Sequence, residues 1–286
     1  MIMTVSQALQ RTVDSLSQFS SDNPQQEARW LLEALLGNHG EFSPQGRLQQ
    51  MTEAELLRLQ EWTARRNSGE PLQYLIGTTE FRSLTLKTDC RALIPRPETE
   101  GLVELALAEI KPLSNPEILD IGTGSGAIAL SLLFEHPGSF SIGCDISQAA
   151  LELAKENGDL LGINDRIEWT LADLFSPDFH GAFGRRFDLI VSNPPYIAGT
   201  EYRTLPPTVR DWEPKVALLA GRDGLRAIRR LAVIGKRLLK RKGCLICEIG
   251  ETQGQAAENI YKGCGWDTVV KKDLNKKPRY LVARAA

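Results

Sequence analysis

The chain has 286 residues, 42% of them hydrophobic and 24% charged, with a formal net charge of −2. That provides for one large globular domain or two unequal ones, and the near-neutral balance speaks against a protein whose main task is holding nucleic acid by phosphate charge. No apolar run approaches the ~18 residues needed to span a bilayer, and the opening Met1-Ile2-Met3-Thr4 lacks the order of a signal peptide, so a cytoplasmic location with no membrane partner is expected.

The pattern over residues 1–75 is helical. A first helix is predicted near Val5–Phe19. In "NPQQEARWLLEALLG", Asn23 is the N-cap, Pro24 takes the first helical position and Gly37 follows the end. Ala28, Leu31, Leu32, Leu35 and Leu36 then share one face. "TEAELLRLQEWTARRNSG" opens with the capping box Thr52…Glu55 and closes at Gly69. These elements predict a small helical domain, separate from the chemistry described below, whose task is docking a protein substrate. Residues 76–95, with alternating Leu84 and Leu86, are predicted to form a β-hairpin connector.

Across residues 96–286 strands and helices alternate. Strands are predicted at Glu117–Ile121, Phe140–Asp145, Ile167–Leu171, Phe187–Ser192 and Cys244–Ile249, with helices at Ala127–Glu135, Gln148–Leu160 and Leu225–Leu239. Such alternation builds βαβ units and a mostly parallel sheet covered on both faces. The tail departs from it: two strand-like runs joined by Asn275-Lys276-Lys277-Pro278 predict a terminal antiparallel hairpin. The basic run "GKRLLKRKG" is placed at a helix C-terminus, where cations favour the dipole.

Five cysteines do not suggest a disulfide framework. Cys244 and Cys247 stand three apart on a predicted strand, so they point to opposite faces and share neither metal nor disulfide. His39, His136 and His180 are scattered without ligand spacing. No metal site is expected.

"ILDIGTGSGAIAL" reads as strand, glycine loop, helix. Gly122, Gly124 and Gly126, with Thr123 and Ser125 between them, give the tight turn and the close backbone approach that a ligand needs. About 20 residues on, Asp145 ends the second strand, where a carboxylate accepts both hydroxyls of a ribose. This pattern fits an adenosine-containing cofactor, and the spacing alone also fits a nicotinamide dinucleotide. Asp120, two residues before the first glycine, favours S-adenosylmethionine, because a carboxylate there opposes a pyrophosphate and suits an ammonium and a sulfonium. Asp173, in "LADLF" after the third strand, is placed beside the adenine.

"VSNPPYI" ends the fourth strand. Pro194 and Pro195 cannot donate to a sheet ladder and stop the strand at Asn193, at the edge of the cofactor crevice. The Asn193 side-chain oxygen and the Pro194 carbonyl offer two acceptors for the two hydrogens of one planar –NH2, with Tyr196 offering an aromatic edge behind it. An amide nitrogen is a poor nucleophile because its lone pair is delocalised, and holding both N–H bonds orients that lone pair without a strong base. As a short motif, Asn-Pro is also common loop punctuation.

The chain resembles the HemK-type release-factor glutamine N5-methyltransferases of the class I S-adenosylmethionine fold. The resemblance rests on "GEPLQYLIGTTEF", "LIPRPETE", "LDIGTGSGAIAL", "DIS", "VSNPPYI", "EPKVAL" and "EIGETQG" and spans essentially the whole chain. It implies a Rossmann-like seven-stranded sheet with the helical N-terminal domain, and a methyltransferase domain over residues 96–286. It implies that Gly122–Gly126, Asp145, Asp173, Leu174 and Asn193 line the cofactor site. It further implies that Asn193, Pro194, Pro195 and Tyr196 bind the glutamine in the Gly-Gly-Gln loop of peptide-chain release factors. Ile94–Glu100 is expected to border the same pocket. The chain departs from the family pattern at Arg82 and at Leu174, where aromatic residues are expected in some members. The competing readings are an N-P-P-Y methyltransferase acting on DNA adenine N6 or RNA guanine N2, a non-catalytic adenosine-binding protein and a nicotinamide oxidoreductase. A nucleic-acid enzyme needs a basic cleft or a target-reading domain, which the local basic runs do not supply.

Overall fold

The computed structural model describes residues 3–18, 23–37 and 48–285; Phe19 and His39 lie outside them. Contacts divide the chain into two units, residues 1–78 with 206–212, and residues 79–205 with 213–286.

In the smaller unit, strand β1 (Met3–Thr4) leads into the helix Val5–Ser17, whose capping box pairs Thr4 with Gln7. The helix Pro24–Leu36 carries its N-cap at Asn23 and ends at Gly37 in the left-handed conformation. Strand β2 (Gln50–Met51) pairs antiparallel with β1 and precedes the helix Glu53–Asn67, whose capping box joins Thr52 and Glu55. A short helix, Leu72–Ile76, completes the run. Ala28, Leu31 and Leu32 are buried with Val5, Leu16, Leu59 and Trp62 in one core, which is why the 3.6-residue pattern is so clear. The segment 206–212 shares this unit although it lies far away in sequence.

The larger unit begins with the hairpin β3 (Thr78–Phe81) and β4 (Leu84–Lys87). The division falls at Thr78/Thr79, and the hairpin joins the larger unit because Phe81, Leu84 and Leu86 are buried with Leu102, Val103 and Ala106 of the helix Pro97–Ile110. The strands that follow are β5 (Glu117–Ile121), β6 (Phe140–Asp145), β7 (Ile167–Leu171), β8 (Phe187–Ser192), β9 (Leu239–Glu248), β10 (Trp266–Lys272) and β11 (Pro278–Ala285). They form one seven-stranded sheet in the order β10-β11-β9-β8-β5-β6-β7. Strands β5 to β9 are parallel, and β11 is antiparallel to both β9 and β10. The chain runs outward from β5 through β6 to β7 and returns to β8 on the other side of β5. This reversal opens a crevice beyond the carboxyl ends of β5 and β8, where ligands bind in open α/β sheets.

Two cores cover the sheet. One joins Leu119, Ile190 and Leu245 to the helices Arg226–Leu238 and Gly254–Gly263; the other joins Ile118, Leu189 and Ile246 to the helices Pro97–Ile110 and Ala127–Glu135. Cys247 belongs to the first core and Cys244 to the second, as their alternation on β9 requires. Strand β9 starts earlier than the sequence predicts, at Leu239, so Lys240, Arg241 and Lys242 are strand residues and only Lys236 and Arg237 sit in the helix's last turn. Lys242, with φ of 72°, lies within β9, where the pairing with β8 shifts register between Phe187–Leu239 and Leu189–Cys244. Arg82, a departure from the family pattern, pairs with Glu104 and Glu135.

Gly101 shows how tightly the helix Pro97–Ile110 packs. A Cβ there would stand 2.2 Å from the Tyr280 Oη, which donates to the Glu98 carbonyl at 2.6 Å. Gly101→Ala is expected to cost about 1–3 kcal/mol by overpacking, read as a lowered melting temperature. A melting temperature equal to wild type would show that the helix shifts freely.

Candidate functional site

The glycine loop leaves β5 between two anchors. The N–H groups of Gly122 and Thr123 donate to the Cys144 carbonyl at 2.8 and 3.0 Å, and the Gly124 N–H donates to Asp145 Oδ2 at 3.0 Å. Gly122 and Gly124 have φ of 73° and 57°, values that favour glycine; a Cβ at Gly122 would meet nothing within 4 Å. The loop therefore turns bare backbone toward open space. Gly126 serves packing instead, since a Cβ there would lie 2.9 Å from Leu130 and 3.2 Å from Ala154. Asn157, fully buried, braces the loop from behind by donating to the Ser125 and Lys87 carbonyls at 3.0 and 3.1 Å. Nothing in the sequence pattern marked this asparagine, which sits on a helix among ordinary polar residues.

A cavity of about 580 Å³ opens here. Gly122, Thr123, Gly124, Ser125, Asp145, Asp173, Leu174, Asn193, Pro194 and Pro195 all line it, as do Thr99 and Arg96 of the segment Ile94–Glu100. Gly126 and Tyr196 are not part of the lining.

Asp145 is held by the Ser147 and Gly124 N–H groups, one on each oxygen, at 2.9 and 3.0 Å. Burial raises its carboxyl above the ordinary range, and the backbone N–H groups oppose that rise. Asp173 accepts from the Phe175 N–H at 2.8 Å, and the Leu174 carbonyl accepts from Arg230 Nε at 2.8 Å. The guanidinium of Arg226 stacks 3.9 Å from the centre of the Phe175 ring, so an aromatic side chain borders the cavity one residue after Leu174.

At the end of β8, the Ser192 hydroxyl donates to the Ile121 carbonyl at 2.7 Å and ties the two diverging strands together. Asn193 Nδ2 donates to Thr99 Oγ1 at 3.0 Å. Thr99 donates to Glu248 Oε2 at 2.7 Å, and the Tyr196 hydroxyl donates to Glu248 Oε1 at 3.3 Å. Among the described residues, none donates to Asn193 Oδ1 or to the Pro194 carbonyl. Beyond the motif, Gln253 Nε2 donates to the Tyr196 carbonyl at 2.8 Å, and a Cβ on Gly224 would stand 2.4 Å from that oxygen. Arg96 and the Ile94 N–H both bond to the buried Glu213 carboxylate, which fixes the segment leading to Thr99. Thr99, Glu213 and Glu248 lie within the resembling segments "LIPRPETE", "EPKVAL" and "EIGETQG", but only the fold brings Thr99 and Glu248 together behind Asn193.

Comparison with known proteins shows the family of the chain. The PrmC N-terminal domain matches residues 7–77, and the methyltransferase small domain matches residues 102–207. The release factor glutamine methyltransferase of Bradyrhizobium diazoefficiens is 40% identical over 265 residues, covering 90% of this chain and 87% of that protein. Its namesake in Chlorobaculum tepidum is 35% identical over 289 residues, covering 99% and 98%. The chain belongs to the release factor glutamine methyltransferase family. Among solved structures, the hMettl16 catalytic domain in complex with MAT2A 3′UTR hairpin 6 aligns with a TM-score of 0.59 at 16% identity, covering 88% of this chain and 91% of that one. A methyltransferase from Pyrococcus furiosus aligns with a TM-score of 0.50 at 15% identity, covering 81% and 98%. At these identities the likeness is one of fold.

This family member is a methyltransferase whose methyl donor is S-adenosylmethionine. The site fits that donor. Bare backbone at Gly122 faces open space, Gly124 and the Asp145 carboxylate line the cavity, and Asp120, outside the lining, keeps a buried Oδ1 without a partner. Among the described residues, no group of His, Cys, Asp or Glu is placed to hold a metal ion, and no helix is long and apolar enough to cross a membrane.

Burial pushes the Asp120 carboxyl up to about 7; the Thr123 hydroxyl and the Ala129 N–H oppose the rise, and the Asp145 charge adds to it. A carboxyl raised above its unfolded value of about 3.9 favours the fold fully below that pH, and the contribution is lost as pH rises through about 7. Without ligand, Asp120→Asn is therefore expected to lose less stability than wild type between pH 5 and pH 8. Thermal melts at the two values check this, and equal losses would contradict it.

Proposed function

We propose that this enzyme transfers the methyl group of S-adenosylmethionine to the side-chain amide nitrogen, N5, of the glutamine in the Gly-Gly-Gln loop of peptide-chain release factors. The observation that carries this reading is the pair of acceptors at the end of β8. Asn193 Oδ1 and the Pro194 carbonyl receive no hydrogen from any described residue, and both residues line the cavity that the glycine loop borders. Two acceptors match the two hydrogens of one carboxamide. The cofactor supplies an electrophilic methyl on a sulfonium. Gly122–Ser125, Asp145, Asp173 and Leu174 would hold it, with Asn193 at the border with the substrate. Asp145 accepts the ribose hydroxyls on carboxylate oxygens already oriented by two N–H groups.

Asn193 and Pro194 hold both N–H bonds of the substrate amide, so its lone pair, which lies perpendicular to the amide plane, is directed at the methyl; once the N–C bond forms and the C–S bond breaks, the nitrogen gives up one of its two hydrogens as a proton to solvent. Pro195 stiffens the wall of the crevice. Tyr196, absent from the cavity lining, acts through its hydroxyl on Glu248 and not by stacking on the substrate in this arrangement. The two glycines beside the substrate glutamine let its backbone enter a narrow crevice. A protein loop, not a nucleic acid, is the target, and the reaction belongs in the cytoplasm, where release factors act. The relatives' shared name, release factor glutamine methyltransferase, supports the protein substrate over DNA adenine or RNA guanine.

The helical domain of residues 1–75 docks the release factor, while residues 96–286 perform the transfer. In a form lacking the residues before Gly77, methylation of intact release factor is expected to fall more than methylation of a short glutamine peptide. Equal loss on both substrates in a folded truncation would remove the docking role.

Asp145→Ala is expected to weaken S-adenosylmethionine binding by about 1.5–3 kcal/mol, the worth of a hydrogen bond to a charged group, measured by calorimetry. Unchanged affinity would take Asp145 out of the site. Asn193→Ala is expected to lower turnover on release factor by about 100-fold or more, while cofactor binding changes little. An Asn193→Ala enzyme at full speed, or faster labelling of DNA or RNA than of release factor, would contradict the proposed reaction.

A further inference from the structure

Behind Asn193 stands a hydrogen-bond relay that the transfer reaction does not by itself require. Thr99 is 4% exposed and Glu248 1% exposed, so water does not readily exchange for either partner. Thr99 Oγ1 lies 2.7 Å from Glu248 Oε2 and 3.0 Å from Asn193 Nδ2. Tyr196 supplies a second hydroxyl to the other Glu248 oxygen.

We propose that Thr99 and Glu248 are positioning residues that lock the Asn193 amide in one of its two orientations, with Oδ1 toward the substrate and Nδ2 away from it; this rests on the glutamine reaction proposed above. The argument is a count of hydrogens. A threonine hydroxyl carries one. Glu248, as a carboxylate, has none to give and receives from Thr99 and Tyr196 together. With its hydrogen committed to Glu248, Thr99 Oγ1 is left only as an acceptor, and it faces an atom of the Asn193 side-chain amide. That atom must be the nitrogen. Turning the amide over would set oxygen against oxygen at Thr99 and leave a buried donor and acceptor unmatched. It would also turn an NH2 toward the NH2 of the incoming glutamine. Two hydroxyls on one carboxylate thus decide which face the nucleophile meets, although neither Thr99 nor Glu248 reacts.

Burial raises the Glu248 carboxyl above the ordinary range, and Glu98 of the helix Pro97–Ile110 adds to the rise; the Thr99 hydroxyl, Arg279 of β11 and the Tyr196 hydroxyl oppose it, and two hydroxyls placed one on each oxygen are the geometry that a carboxylate accepts. Arg279 also bonds to Asp273, which keeps the guanidinium near Glu248. Were Glu248 protonated, Thr99 would be free to donate to Asn193 and the lock would open in both directions.

The test uses the full-length enzyme with release factor and S-adenosylmethionine. Thr99→Val keeps shape and removes the hydroxyl. It is expected to lower kcat by about 10- to 100-fold, with KM for release factor and cofactor affinity close to wild type, and Thr99→Ser is expected to restore most of the loss. The side-chain amide resonances of Asn193 in isotope-labelled protein, assigned by their loss in Asn193→Asp, give a readout that needs no turnover. One amide proton bonded to Thr99 is expected downfield and slow to exchange in wild type and Thr99→Ser, and shifted upfield in Thr99→Val. Should Thr99→Val not fold, Glu248→Gln carries the test. A carboxamide lets the Thr99 hydrogen point either way, so kcat is expected to fall while the melting temperature holds. Full-speed turnover in the folded variant, equal impairment of Thr99→Ser and Thr99→Val, or an Asn193 resonance unmoved by Thr99→Val overturns the proposal. If wild-type enzyme leaves release factor unmethylated, the assigned reaction fails, and the amide resonance still decides the relay.

Discussion

Proline has no backbone N–H, and two of them in succession stop β8 where it would otherwise continue beside β5. Much of the site follows from that stop. The parallel pair β5 and β8 runs in register through Asp120 and Val191, and the Ser192 hydroxyl makes one last bond to the Ile121 carbonyl before the chains part. One chain turns into the glycine loop and the other into Asn193-Pro194-Pro195-Tyr196. The crevice between them lies where the strand order reverses, so the glycine loop and the Asn193 motif line one cavity from neighbouring strands.

The polar groups at this stop are satisfied by partners distant in sequence. Asn193 meets Thr99 of the preceding helix, Thr99 meets Glu248 at the end of β9, and Gln253 reaches back to the Tyr196 carbonyl. Pro97 at the first helical position sets the start of the helix that carries Thr99, while Arg96 is tied to Glu213. The core around Phe81, Leu84 and Leu86 supports that helix from the hairpin side. Removing one link leaves a buried donor or acceptor without its mate, which makes the relay sensitive to small changes.

The fold was legible because its signals are local. Period-2 and 3.6-residue patterns marked the central strands and helices, and Asn23, Pro24, Gly37 and the Thr52–Glu55 box marked helix ends that the structure reproduces. The glycine loop, Asp145 and the Asn193 motif were legible for the same reason: each lies on a few consecutive residues where a strand stops. What escaped the sequence was long-range. Asn157 looks like any helix polar residue until it is seen to bond Lys87 and Ser125, and Glu248 looks like the end of a strand until it meets Thr99. Lys240–Lys242 belong to β9 rather than to a helix C-terminus, and the basic run gives no sign of that early strand start or of the positive φ at Lys242. The membership of residues 206–212 in the helical unit had no local signal at all.

The central claim is that the paired acceptors at Asn193 and Pro194 select a glutamine carboxamide on a protein loop. Mapping the added methyl by mass spectrometry, after reaction of purified enzyme, release factor and S-adenosylmethionine, tests it most directly. The account requires one methyl on the side-chain nitrogen of the glutamine in the Gly-Gly-Gln loop. A methyl on any other residue, or on a nucleobase amine in preference to the protein, would contradict it.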